Sequence, residues 1–125
     1  MSVLKTFVIA LFLAPSTLQA METDLVALFS SCTGRYSAEM EHAWLIGDER
    51  SDQLEHRRDQ FASLILAVTP KEQRRESLNL RISAKLAHAS LLTQARFSQD
   101  RDRARWALRR AEGEIAYCSS LLLDS

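Results

Sequence analysis

Residues 104–122, ARWALRRAEGEIAYCSSLL, carry Ala104, Leu108, Ala111, Ile115, Cys118 and Leu122 at steps of four, three, four, three and four. That spacing returns every apolar side chain to one face of an α-helix, and the charged residues between them fill the other face. The stretch therefore predicts a helix that packs by a single stripe. Residues 98–100, just before it, are a break with capping residues.

Working back along the chain, three more helices are predicted. The whole sequence of 125 residues has only three glycines and two prolines, and β-branched residues are few, so strands are not expected. Helix one opens at Thr23 or Asp24 and repeats Leu25, Leu28, Phe29, Cys32, Tyr36, Met40 and Ala43 at helical spacing. Gly34 sits inside it as a point of bending, and Gly47 is placed to end it as a left-handed cap. Helix two starts within residues 48–51 and carries Leu54, Phe61, Leu64, Ile65 and Val68 on one face. Thr69, Pro70 and Glu72 then spell a stop and a restart: a capping Thr, a Pro at the first helical position and a Glu three residues after the cap.

Helix three is predicted from Pro70 to about Phe97. Leu78, Leu80, Ile82, Leu86, Ala87, Ala89 and Leu91 cover more than half its circumference, with Arg74, Arg81, Lys85 and His88 on the remaining side. That breadth predicts the most buried helix, or one shared with a second subunit. Ser83, Ala87 and Ser90 would let a neighbour approach. Four amphipathic helices with short connections predict an all-α, up-down-up-down four-helix bundle, in which helix one lies beside helix four and diagonally across from helix three.

The first twenty residues, MSVLKTFVIALFLAPSTLQA, have the layout of a secretory signal peptide: a basic start at Lys5, an apolar run, Pro15 and a small residue, Ala20, at the expected cleavage point. The apolar run is shorter than the ~20 residues a spanning helix needs. Residues 21–125 are then one exported helical domain, periplasmic or secreted. Its two cysteines, Cys32 and Cys118, enter an oxidising compartment as an even pair, which predicts a disulfide joining helix one to helix four. No CxxC spacing supports a redox-active pair. Cys32 does not follow the apolar run directly, so lipid attachment is not expected.

Acidic and basic residues balance at 16 each over the whole chain, which excludes a strong pull toward nucleic acid or anionic lipid. The charges are nevertheless segregated. Residues 22–52 hold seven acids and two bases, whereas residues 53–111 hold thirteen bases and six acids.

Two clusters are candidate sites. Arg35, Tyr36 and Glu39 fall close to the core-facing stripe of helix one, and Arg57 flanks the apolar face of helix two at a similar height. A core-facing Glu must be neutral or paired, so the cluster reads either as an ion pair that sets helix register or as a polar pocket for a small anion. Trp106, Arg110, Gly113 and Tyr117 line the outer side of helix four, with Arg103 and Arg109 at its border. Aromatics and arginines around a glycine are the composition of an interface centre. The alternative has Trp106 packing over the bundle end with Trp44 and Phe97.

No HxxH, HExxH or CxxCH pattern is present, so no metal or haem is expected, and no cofactor. GxSxG and a phosphate-binding glycine loop are also missing, and the chain is not expected to be an enzyme. The expectation is a small exported binding or adaptor module acting through helix faces on a protein partner or as a homodimer. A carrier of a small anion in the bundle core is the alternative.

Overall fold

The computed structural model describes residues 16–122, and residues 1–15 of the expected signal peptide lie outside that range. It is all-helical: α1 (Ser16–Ile46), α2 (Ser51–Val68), α3 (Arg74–Phe97) and α4 (Arg101–Leu121), with a 3-10 turn at Lys71–Gln73 leading into α3. The first helix starts at Ser16, not at Thr23 or Asp24, and runs on through Gly34 without interruption.

Local chemistry sets most of the boundaries. Gly47 has φ 70°, Gly47 N–H donates to Trp44 O at 3.4 Å and Asp48 N–H to Ala43 O at 2.8 Å. Those two bonds are a Schellman closure, which needs a residue free to enter the left-handed region. Asp100 caps α4 by accepting from the Asp102 and Arg103 amides at 3.0 and 3.2 Å. The Thr69 expectation is corrected: Thr69 ends α2 instead of capping α3, and its buried hydroxyl has no hydrogen-bond partner. Pro70 precedes the 3-10 turn, and α3 proper begins only at Arg74.

The packing corrects the diagonal expectation. The most extensive helix pair is α1 with α3, followed by α1 with α2 and α3 with α4, while contact between α1 and α4 is sparse. Paired residues rise together along α1 and α3: Ser30 Oγ lies 2.7 Å from Ser77 Oγ, and further along Glu39 meets His88. The two helices therefore run parallel. Small residues make the pairing close. A Cβ added at Gly34 would overlap the carbonyl oxygen of Arg81 and stand 2.9 Å from the amide of Lys85, so backbone meets backbone there. Thr33 and Ser37 fit the same helix by donating their hydroxyls to the carbonyls one turn back, each at 2.8 Å.

The most buried helix is consequently α1, not α3. Val26, Ser30, Cys32, Thr33, Tyr36, Ala38, Met40 and Ala43 are all buried, whereas α3 buries only Ser77, His88 and Leu92. Ser83, Ala87 and Ser90, expected to receive a neighbour, face solvent. So do Leu78, Ile82 and Leu86, at 52%, 49% and 66% exposure. The inward face of α3 is thus chosen by size and hydrogen bonding, and its apolar ridge points outward.

Among the described residues, two small clusters stand out within the core. In one, Cys32, Tyr36, Phe61 and Cys118 pack together, with Phe29, Leu54, Leu64 and Ile115 against them. Phe61 stacks on Tyr36 at 5.7 Å between ring centres and meets Phe29 at 6.1 Å. Enclosing that ring stabilises the fold by roughly 1.5–3 kcal/mol. The second cluster is Ala38, Leu92 and Ala111. Cys32 and Cys118 are at disulfide-bonding distance, with Cα atoms 5.6 Å apart. The pair ties α1 to α4 where little apolar packing does.

Candidate functional site

The most unusual group in the fold is His88, which is fully enclosed and holds three helices together. Its Nε2 lies 2.8 Å from Glu39 Oε1 on α1, and its Nδ1 lies 3.0 Å from Glu114 Oε2 on α4. A neutral imidazole offers one donor and one acceptor. Arg35 Nε stands 3.4 Å from the same Glu114 oxygen, and Arg110 Nε donates to the other at 2.9 Å. Burial pushes the Glu114 carboxyl up, but hydrogen bonds from His88 and Arg110 and the charge of Arg35 outweigh it, and the net shift is downward. Glu114 is therefore an anion at neutral pH, surrounded by donors.

Above this network, a surface depression of about 370 Å³ is lined by Arg35, Arg109, Arg110, Gly113, Glu114 and Tyr117. A Cβ built at Gly113 meets nothing within 4 Å, so the glycine leaves open space at that position. Tyr117 is 53% exposed. Arg109 has no hydrogen bond or ion pair among the described residues.

The four residues of the first predicted cluster turn to different partners, although Arg57 and Glu39 stay near enough to Tyr36 for their charges to act on its phenol. Arg35 turns to α4, where it meets Glu114 and donates through Nη1 to Cys118 Sγ at 3.7 Å. Glu39 turns to α3 and His88. Tyr36 stays in the core, stacked on Phe61; burial pushes its phenol up against the opposing effects of the Ser119 side chain and of Arg57. Arg57 remains on α2 and reaches Gln60 at 3.5 Å. Of the second cluster, Arg110, Gly113 and Tyr117 are brought together, and Arg35 joins them from α1. Trp106 is 53% exposed, as is Trp44, and Phe97 is exposed too.

His88 is the residue that sequence reasoning misses, because it lies off the apolar stripe of its helix. A signal existed in Glu39: a carboxylate on a core-facing position demands a partner, and His88 shares the phase of Ser77, Arg81 and Leu92 on α3.

A second, larger cleft of about 530 Å³ opens between the α1–α2 turn, α3 and α4. Ile46, Leu54, Leu92, Leu108 and Ile115 give it apolar walls, and Glu39 reaches it from the His88 network. At its rim Asp48 holds Arg50 by two bonds to Nε, both 3.1 Å, and one to Nη2 at 2.7 Å. The hydrogen bonds from Arg50 lower the Asp48 carboxyl to about 2.

Among the described residues, no group of three or more His, Cys, Asp or Glu side chains is arranged to hold a metal ion. No helix among them is long and apolar enough to cross a membrane. The chain matches no protein-family model, no curated protein and no solved structure.

Proposed function

We propose that the protein is a small exported helical binding module, non-enzymatic, whose working surface is the outward ridge of α3. Its first twenty residues act as a cleaved signal peptide, and the mature domain is an up-down-up-down bundle in the periplasm or outside the cell. The observation that carries this reading is the exposure of Leu78, Ile82 and Leu86, one turn apart on a single line. An apolar row of that kind on a small domain marks an interaction surface. Arg74, Arg75 and Arg81 lie on the same helix. The partner with matching chemistry is an amphipathic helix of another protein, apolar on one side and acidic at its flanks. The titratable His88 is enclosed by the helices, which supports a structural over a catalytic role for it.

A photo-crosslinking residue placed at Ile82, with exposed Gln53 as the control position, tests the reading in producing cells. A discrete crosslinked species at Ile82 alone is expected, and its mass separates a foreign partner from a second copy of the chain. Equal labelling at both positions, together with a monomer at every concentration in sedimentation, would overturn it. Intact mass of the exported protein tests the rest: cleavage after Ala20 and loss of two hydrogens at Cys32 and Cys118.

A second reading, carriage of a small apolar ligand in an open cleft in place of the anion expected in the core, is favoured by the 530 Å³ cleft, which falls within the size range of small-molecule sites. Saturable binding of an apolar fluorescent probe that is lost in Leu108→Arg would support it. Binding that survives that change would count against it.

A further inference from the structure

We propose that the depression between α1 and α4 binds a small dianion, with Arg35, Arg109 and Arg110 as its cationic walls and Gly113 as its open floor. Three guanidinium groups and one carboxylate line the space, which leaves two positive charges uncompensated. Glu114 does not saturate the arginines it holds. Arg35 and Arg110 each approach it through Nε, so the terminal amino groups of both forks remain for a second acceptor, apart from the Arg35 Nη1 contact to Cys118. Arg109 is wholly free among the described residues. Guanidinium forks bind oxyanions through paired parallel hydrogen bonds, and several forks around one hollow select for more than one negative charge.

The floor and wall extend the reading to the body of the ligand. Gly113 leaves a gap that any side chain would occupy, and the half-exposed ring of Tyr117 borders it. The ligand class is therefore a compact organic acid with two negative charges on oxygen, either a phosphate ester or a dicarboxylate. The site is independent of the α3 ridge and stands whether or not that ridge has a partner.

Calorimetric titration with inorganic phosphate and with succinate, against acetate as a monoanion control, tests the site. One-to-one saturable binding of at least one dianion is expected, at least tenfold tighter than acetate. Phosphate binding alone assigns a phosphate ester, and succinate binding alone a dicarboxylate. Arg109→Gln and Gly113→Leu, both at exposed positions, should each weaken it tenfold or more while thermal melting stays within a few degrees. Repeating the titration on Ile82→Glu should leave the affinity unchanged, which separates this site from the α3 surface. Absence of saturable binding by both dianions, or affinities that survive both substitutions, would overturn the proposal.

Discussion

Two glycines of the same chain have opposite meanings, and single substitutions expose the difference. At Gly34 a methyl group would press on the α3 backbone, which has no rotamer to yield. Gly34→Ala should lower stability by roughly 1–3 kcal/mol or more, read as a shift in the urea midpoint. At Gly113 the added carbon meets nothing, so Gly113→Ala should raise stability by about 0.5–1 kcal/mol through helix propensity alone. Glu114 gives a third prediction, in pH. Its folded carboxyl lies below the ordinary 4.5, so the stability it contributes is fully present above pH 4.5 and is lost as pH falls through the lowered value. Urea midpoints between pH 7 and 3 should decline below pH 4.5 in the wild type. Glu114→Gln should start lower at pH 7 and decline less. His88 was hidden from periodicity because an imidazole between two carboxylates is a buried polar solution, and a hydropathy pattern counts it as surface.

At the scale of elements, legibility followed the property that each helix uses to pack. On α2 and α4 that property is apolarity, and Phe61, Ile65, Ala111 and Cys118 are buried on the stripes the spacing marks, although at the start of α4 Ala107 is buried and Leu108, on the marked stripe, is 45% exposed. Gly47 and Asp100 were readable as well, since a left-handed cap and an N-cap are chemistry local to a few residues. On α3 the governing property is size. Ser77 lies against Ser30, and the backbone at Arg81 and Lys85 faces Gly34, so the leucines were displaced to the other side. Apolar periodicity measured the wrong face. The sparse contact between α1 and α4 has its own consequence: the Cys32–Cys118 bridge and the Glu114 network carry the attachment. The bridge spans 86 positions, for which chain entropy predicts a contribution of about 4 kcal/mol. Reduction should therefore raise amide exchange in the second half of α4 well before it does so in α1 or α3, as measured by mass spectrometry.

For the molecule as a whole, the inside-out placement of α3 makes a comparison of two substitutions decisive. Ile82→Glu should change the stability of the isolated chain by no more than about 0.5 kcal/mol, whereas Leu92→Ala, in the second core cluster, should cost about 2–5 kcal/mol. A helix buried by its leucines would reverse that order in the same denaturation experiment. The dianion depression was half legible: Arg110, Gly113 and Tyr117 share one helix line, but only the fold brings Arg35 to them from 75 or more positions away along the chain. The parallel alignment of α1 and α3 also bears on time. Ser30 meets Ser77 and Glu39 meets His88 across separations of 47 and 49 residues, with all of α2 between them. A helical hairpin can zip from its turn, but this closest seam has no turn to zip from. Forming it requires closing a loop that holds all of α2, so contact order makes this interface slower to form than a hairpin contact would be.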